Sequence, residues 1–269
     1  MAFDALPPIG IGTFRLQGDI ARDAVKTALS LGYRHIDTAQ MYENEAEVGD
    51  GITSSGIPRR EVFITTKIWF DNLHRAKLRN SLKRSLQRLK TDHVDLALVH
   101  WPSPNNEVPM EEYLQALQDA QHEGLADHIG VSNFTTAQLD QAREILGETP
   151  ILTNQIEVHP FLANRKVVDH VQTLGITVTG YMPLAVGRVM EAECLQGIAR
   201  QHGVTPAEIA IAWVASRGIV PIPSSTRPEH LKANLDALQI ELTAEELASI
   251  DQLDRGERIA NPEFAPAWD

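Results

Sequence analysis

Three successive predicted strands end in a polar side chain that could do chemistry. They end in Asp37, Lys67 and His100, and Tyr42 lies five residues beyond Asp37 in the following loop. If the strands are parallel, their carboxyl ends share one rim, so the four groups are expected to converge there. Taken singly, each residue is more typical of a turn, a strand end or packing, but the joint arrangement favours a functional site.

The four groups match what the reduction of a carbonyl requires. A hydride that reaches the carbonyl carbon creates an alkoxide, which a nearby acid must protonate, and we assign this role to Tyr42. An ammonium beside a phenol lowers the phenol's pKa, so Lys67, anchored by Asp37, is the predicted cation. His100 can donate to the carbonyl oxygen and orient it while negative charge builds there.

Eight short apolar segments have the composition of strands, and longer helical patterns lie between most of them. The predicted strands are Ile9–Phe14, Tyr33–Asp37, Val62–Lys67, Val94–His100, His128–Ser132, Leu152–Glu157, Thr177–Tyr181 and Ile219–Ile222. The predicted helices are Arg22–Leu31, Leu78–Leu89, Glu111–His122, Thr136–Leu146, Glu191–His202, Pro206–Ser216, Glu229–Leu238 and Ala244–Asp251, the last with Thr243 and Glu246 at capping-box spacing.

Strands that alternate with helices pair in parallel through right-handed crossovers. We therefore predict an α/β fold, a single (β/α)8 TIM barrel domain over residues 1–269, with the active site at the C-terminal face of the strands. A doubly wound sheet is the alternative. It requires a glycine-rich fingerprint after the first strand, and Arg15 stands where the third glycine is needed.

Composition and charge argue against several classes of protein. The 269 residues carry a formal net charge of −12, which does not suit a surface that neutralises nucleic-acid phosphates. No apolar run of roughly 18 residues occurs, so no membrane span is expected. The single cysteine, Cys194, and the absence of a signal-peptide pattern favour the cytoplasm. We expect a monomer. We also expect no metal site, because no His-Glu-x-x-His motif is present.

Six ordered motifs resemble those of the aldo-keto reductases, and the resemblance covers nearly the whole chain. They are Gly32–Glu45 (GYRHIDTAQMYENE) followed by Val48-Gly49, Ile64–Lys67, Leu98–Pro102, Gly130–Phe134, Asn154–Pro160 and Ile222–Ser225. The resemblance implies NADPH-dependent reduction of small aldehydes and ketones by the tetrad named above. Within the family, the chain looks most similar to bacterial 2,5-diketo-D-gluconate reductases of type B, which are also linked to methylglyoxal reduction.

The resemblance also implies an extended nicotinamide cofactor across the barrel mouth. Ser132, Asn133 and Gln155 would hold its carboxamide. Tyr181 would stack on the nicotinamide ring, and the loop that contains Leu184 would approach the pyrophosphate. The residue types agree, because donors, acceptors and an aromatic face end strands five to seven. Without the other motifs, a turn, a satisfied buried polar group or a core aromatic would explain them equally well.

A candidate site for the adenosine 2′-phosphate lies between strand eight and the next helix. Helix N-termini attract anions, and Arg227 can fork onto a phosphate. Thr226 and Glu229 have capping-box spacing and Pro228 suits the first helical turn, which an ordinary capped helix would also explain. The predicted cofactor contacts are Ser224, Ser225, Thr226, Arg227, His230 and Asn234. Relative to the family, Ser224 replaces a lysine and His230 an arginine, so we expect NADPH preference with some NADH tolerance.

Aromatic side chains are expected to line the substrate pocket. Phe14, Trp69 and Trp101 follow or end strands one, three and four, and they would wall the pocket together with His100. An apolar cup with few charges suits compact, uncharged carbonyl compounds. The tail 261–269 is expected to be extended and to cover little of the pocket, with Trp268 packed against the barrel.

Two other functions stay open from the sequence. The chain could be a cofactor-binding regulatory module on the same fold, although the intact tetrad weighs against this. It could also be a Schiff-base lyase that uses Lys67, which protonation beside Asp37 would disfavour.

Overall fold

The computed structural model describes residues 6–269, and within them eight strands form one parallel sheet in sequence order. The strands are β1 (Ile11–Gly12), β2 (His35–Asp37), β3 (Phe63–Ile68), β4 (Val94–Val99), β5 (Ala126–Ser132), β6 (Ile151–Glu157), β7 (Thr177–Tyr181) and β8 (Ile219–Ile222). Each of the eight predicted strands is present, with bounds that differ by a few residues in most cases. The short β1 is the largest difference.

The segment around β1 closes the sheet against β8. Gly10 N donates to Pro221 O at 3.1 Å, and Gly12 N donates to Pro223 O at 2.9 Å. A Cβ atom on Gly10 would lie 2.7 Å from His35 Nδ1, so this close approach requires glycine. The sheet is therefore a (β/α)8 barrel, as predicted, and the doubly wound alternative is excluded by the strand order.

Ten α-helices lie within residues 6–269, most of them outside the barrel between strands. They are α1 (Gly18–Leu31), α2 (Glu45–Ser55), α3 (Arg75–Leu89), α4 (Met110–His122), α5 (Thr136–Leu146), α6 (Arg165–Thr173), α7 (Glu193–His202), α8 (Pro206–Ser216), α9 (Pro228–Asp236) and α10 (Ala244–Asp251). The sequence analysis missed α2 and α6. The predicted capping box of α10 is confirmed, because Thr243 accepts from Glu246 N and Glu246 accepts from Thr243 N.

The interior of the barrel changes in polarity along the strands. Alternate residues of β3 share one face, and the first of them, Phe63, packs with Leu96 and Leu98 in a cluster separate from the main core. The next residue on that face, Thr65, bonds His35 at 2.9 Å. The third, Lys67, is charged and fully buried. The inner face of β3 thus becomes polar and then charged towards its carboxyl end. In the described part of the chain, no helix is both long and apolar enough to cross a membrane.

Candidate active site

Asp37, Lys67 and Tyr42 meet at the carboxyl ends of β2 and β3. Lys67 Nζ donates to Asp37 Oδ1 at 2.5 Å, to Thr38 O at 2.9 Å and to Tyr42 Oη at 3.2 Å. The parallel register places Asp37 opposite Thr65, so Lys67, two residues further along β3, projects on the same face above it. The three protons of the ammonium all have acceptors, and this fixes the position of Lys67 beside the phenol.

Burial and the neighbouring charges set the protonation of this group. Burial lowers the pKa of Lys67, but Asp37 and Tyr42 outweigh it and raise that pKa above its ordinary value. Burial raises the pKa of Tyr42, Lys67 lowers it in part, and Asp37 raises it again, so the net direction is upward. Lys67 thus acts in the expected direction, but desolvation of the phenolate is the larger effect. The Tyr42 phenol keeps its proton at neutral pH.

His100 faces Tyr42 across the floor of a large cavity. Their rings meet edge-on with centroids 5.7 Å apart, and His100 is only 6% exposed. Burial and then Lys67 lower the pKa of His100 well below its ordinary value. The imidazole is therefore neutral and carries one N–H, which can donate to a substrate oxygen.

The four residues predicted to hold the nicotinamide end of a cofactor form a hydrogen-bonded chain that begins at Asp37. Gln155 Nε2 donates to Asp37 Oδ2 at 2.8 Å, and Ser132 Oγ donates to Gln155 O at 2.7 Å. Asn133 Nδ2 donates to Ser132 Oγ at 3.1 Å, and Tyr181 Oη donates to Asn133 Oδ1 at 2.8 Å. These residues all line the cavity, so their polar atoms lie beside the tetrad.

The cavity joins the tetrad to the predicted phosphate site. Its volume is about 640 Å³, which lies within the range of about 300–1,000 Å³ typical of ligand and cofactor pockets. Among the residues predicted for the cofactor, those that line its far end are Leu184, Ser224, Ser225, Thr226, Arg227 and His230. One continuous space therefore connects an acid–base group to a cationic rim.

The cationic rim is open to solvent and is held by local contacts. The Arg227 side chain is 59% exposed, and its Nε lies 3.3 Å from Glu229 Oε1 and also contacts His230. Arg227 N donates to Ser225 Oγ at 3.2 Å. The predicted capping box of Thr226 and Glu229 was wrong. Pro228 is the first residue of α9, so the N-cap falls on Arg227, which makes no side-chain capping bond.

Three predicted site residues do not line the cavity: Lys67, described above, and also Trp69 and Asn234. Asn234 is buried in α9 near Tyr33 and does not line the cavity, so its contact with an adenine stays a prediction. Trp69 also does not line the cavity; its ring meets His100 edge-on at 5.2 Å. Trp69 is partly exposed, and its contact with a substrate stays a prediction.

The loop after β7 has an unusual backbone. Met182, Ala185 and Val186 all have positive φ, and for a β-branched residue such as Val186 (φ 55°) this is a genuine outlier. Two of its N–H groups are already bonded within the loop, from Ala185 to Met182 O and from Gly187 to Leu184 O. Such strained conformations concentrate at ligand-binding segments, and this loop lines the cavity through Leu184, Val186 and Gly187.

The aromatic wall contains a residue that the sequence analysis missed. Phe14 lies 5.1 Å from Tyr42 between ring centroids, and both Phe14 and Trp101 line the cavity. Phe264 packs edge-on against Trp69 and Trp101, with centroids 5.8 and 5.4 Å apart. No local sequence pattern indicates this contact, since Phe264 is more than a hundred residues from its partners.

The tail is folded back rather than extended. Ala265 N donates to Pro262 O at 2.9 Å, which closes a turn. Trp268 packs, as expected, with its ring 5.9 Å from that of Trp101 and 3.7 Å below the guanidinium of Arg258. The expectation of an extended segment was wrong, because these aromatic contacts draw the chain back onto the barrel.

The barrel fold and the tetrad at the carboxyl ends of its strands agree with the comparison of sequences. The sequence model of the aldo/keto reductase family matches residues 8–255. The chain belongs to the aldo/keto reductase family.

Individual relatives cover the chain almost completely. The methylglyoxal reductase DkgB of Escherichia coli O157:H7 is 52% identical over 98% of this chain and 100% of its own length, and that of Yersinia pestis is 51% identical over the same shares. A structure of a proposed 2,5-diketo-D-gluconic acid reductase B has a TM-score of 0.95 at 42% identity, covering 98% of this chain and 94% of that one. The aldo-keto reductase of Bombyx mori, solved with NADP, has a TM-score of 0.90 at 33% identity, covering 97% and 95%.

Proposed function

We propose that this protein reduces small dicarbonyl compounds such as methylglyoxal to alcohols with NADPH, and that Tyr42 is the proton donor. The observation that carries the proposal is the contact of the Tyr42 hydroxyl with the buried, Asp37-bound ammonium of Lys67 at the floor of the cavity. The names of the close relatives, which are methylglyoxal reductases, support the substrate class.

The proposed residues act as follows. A substrate oxygen is placed between Tyr42 and the neutral imidazole of His100, which donates one hydrogen bond to it. When charge builds on that oxygen, Tyr42 gives up its proton, and the ammonium of Lys67 stabilises the phenolate that remains. Asp37 holds Lys67 and is itself held by Gln155, so the geometry is set before substrate enters.

A nicotinamide cofactor supplies the hydride when it is bound, and the residues of the cavity fit such a cofactor. Donors and acceptors of Ser132, Asn133 and Gln155 lie beside the tetrad, and Tyr181 offers an aromatic face. At the opposite end, Arg227 offers a cation that favours a phosphate. NADPH is therefore proposed as the preferred cofactor, with the cytoplasmic location and the monomeric state kept as predictions.

The cavity supports a compact, uncharged substrate. Phe14, Trp101 and Tyr42 make its tetrad end aromatic. Of the cations that line the cavity, Arg227 lies at the opposite end, whereas the guanidinium of Arg15 lies 5.1 Å from the centroid of the Phe14 ring. A small dicarbonyl buries most of its surface there without an unpaired charge. Because the close relatives are named methylglyoxal reductases, we expect a higher kcat/KM for methylglyoxal than for anionic diketo sugar acids.

The state of Lys67 disfavours the Schiff-base alternative. Its pKa is raised by Asp37 and Tyr42 despite burial, so its amine is protonated and is a poor nucleophile at neutral pH. The aldolase hypothesis predicts irreversible labelling of Lys67 by borohydride in the presence of a carbonyl compound. Our proposal predicts none.

The test is oxidation of NADPH by the purified protein across a panel of carbonyl compounds. The panel includes methylglyoxal, simple aldehydes, keto acids and 2,5-diketo-D-gluconate, with NADH measured in parallel. We expect turnover with methylglyoxal and a higher efficiency with NADPH than with NADH. Binding of NADPH without turnover of any carbonyl would instead favour the regulatory module, and a preference for NADH would reject the cofactor assignment.

A further inference from the structure

A buried carboxylate at the end of β6 has no part in the chemistry proposed above. Glu157 is fully buried and belongs to the Asn154–Pro160 motif, of which the proposed mechanism uses only Gln155. Its Oε1 accepts from Ile259 N at 2.7 Å and from His159 Nε2 at 2.9 Å, and its Oε2 accepts from Ala260 N at 2.7 Å. A side chain from the barrel thus holds two consecutive backbone N–H groups of the C-terminal segment, which we define as residues 259–269.

This set of contacts requires a carboxylate. Both oxygens act as acceptors, and two of the three donors are backbone N–H groups that point at different oxygens. An amide in the same place would keep one oxygen but would turn an N–H₂ donor towards the other N–H group. Burying a carboxylate costs desolvation free energy. The charge-assisted hydrogen bonds that Glu157 accepts offset this cost.

The opposite end of the C-terminal segment is also attached to the barrel. Asp269 accepts from Thr136 N at 2.9 Å and from Thr136 Oγ1 at 2.6 Å, at the start of α5, and lies 3.5 Å from Lys166 Nζ. The segment is therefore fixed at both ends, and its middle carries Phe264.

The C-terminal segment contacts the wall of the cavity at the end where the tetrad lies. Ala260, whose N–H bonds Glu157, lines the cavity itself. Phe264 packs on Trp101, which lines the cavity, and on Trp69, which contacts His100. A displacement of residues 259–260 would move the aromatic contacts that support this wall.

We propose that Glu157 is a positioning residue that, by binding the N–H groups of Ile259 and Ala260, holds the C-terminal segment against Trp101 and thereby shapes the substrate end of the cavity. Glu157 acts through the segment and touches no reacting atom. The effect on substrate rests on the proposed reductase function, whereas the attachment of the segment does not.

The test compares Glu157→Gln with Glu263→Gln, which removes the same charge from an exposed position of the same segment. Amide hydrogen exchange measured by mass spectrometry is expected to be at least about tenfold faster across residues 259–268 in Glu157→Gln, and unchanged in Glu263→Gln and in the barrel strands. This readout needs no substrate, so it tests the attachment even if the protein reduces no carbonyl compound.

Steady-state kinetics with methylglyoxal and NADPH test the second half of the proposal. Glu157→Gln is expected to raise KM for methylglyoxal about tenfold, with kcat and the dissociation constant of NADPH within about twofold of the parent. Phe264→Ala should do the same, and the double variant should be no worse than the poorer single variant, because both changes remove the same support.

A purely structural role for Glu157 gives a different set of results. It predicts faster exchange throughout the barrel with KM unchanged, or additive effects in the double variant, and either result overturns the proposal. If Glu157→Gln does not fold, Ala260→Pro replaces it, since proline removes one of the two bonded N–H groups and leaves the buried carboxylate in place. An unchanged KM in a folded Ala260→Pro protein also overturns the proposal.

Discussion

The two ends of the cavity are built in different ways. At the tetrad end, Asp37 and Lys67 are buried, and each charged atom has partners from other strands. At the rim, the Arg227 side chain is 59% exposed, and its contacts are to residues no more than three positions away in the sequence. The first arrangement depends on the closed barrel, whereas the second depends on one short segment.

The difference in burial suggests that the tetrad end governs the chemical step and that the rim governs the binding of the cofactor. Interactions in a buried site are little screened, so the tetrad can bias a proton transfer by a large amount. Charges at an exposed rim are screened by water and salt, so they change binding by a smaller amount. We therefore expect substitutions at the tetrad to change turnover or folding, and substitutions at the rim to change cofactor preference alone.

Tyr42→Phe is the largest expected effect. The substitution keeps the ring that packs on Phe14 and His100 but removes the hydroxyl bonded to Lys67. Loss of a general acid typically costs about 10²- to 10⁴-fold in rate, and we expect a fall in kcat of this size. Steady-state reduction of methylglyoxal at saturating NADPH measures it.

Binding of NADPH, followed by fluorescence titration, is the control for Tyr42→Phe. Its dissociation constant should stay within about twofold, because the predicted cofactor contacts are other residues. A kcat within about tenfold of the parent would show that another group donates the proton.

A second prediction concerns His35, which lies two residues before Asp37 on the same, inner face of β2. It is fully buried, and burial lowers its pKa to about 4, although Asp37 raises it and Lys67 lowers it further. Below about pH 6.5 the unfolded chain binds a proton that the native His35 does not bind. Stability is therefore lost as pH falls from about 6.5 to about 4, and this group alone contributes about 3 kcal/mol of the loss.

Urea unfolding of the parent and of His35→Asn at several pH values between 4 and 7 checks this prediction. The variant is expected to be less stable at pH 7, because the bond to Thr65 and the packing on Phe63 change. Its loss of stability on acidification should nevertheless be smaller by about the amount given above. Equal slopes in the two proteins would show that other groups govern acid unfolding.

The sequence predicted that Asp37, Lys67 and His100 lie close together because they sit at or next to strand ends, which the barrel itself brings together. It missed α2, whose glycines suggest a poor helix. Cβ atoms on Gly49 and Gly51 would lie 2.6 Å from Arg88 O and Arg22 O, so these glycines allow close helix packing. Tertiary contacts thus override low helix propensity. The contacts of Glu157 and Phe264 with distant residues have no local sequence signal.

The smallest expected effect tests the rim. Arg227→Ala removes the exposed guanidinium at the start of α9, and we expect KM for NADPH to rise about tenfold, since hydrogen bonds to charged groups contribute about 1.5–3 kcal/mol and solvent reduces this one. KM for NADH and kcat with either cofactor should change less than about twofold, because the tetrad is at the other end of the cavity.

Lys232→Ala is the matched control for Arg227→Ala, because Lys232 is an exposed cation of the same helix that pairs with Asp236 and does not line the cavity. If the rim acts only through general positive charge, both variants should weaken NADPH binding equally and the effect should vanish at high salt. If Arg227 binds the 2′-phosphate directly, only Arg227→Ala should lose the discrimination between NADPH and NADH. Equal losses for the two cofactors in Arg227→Ala would instead place the 2′-phosphate elsewhere, and the contrast between the buried and exposed ends would then need a different rim residue.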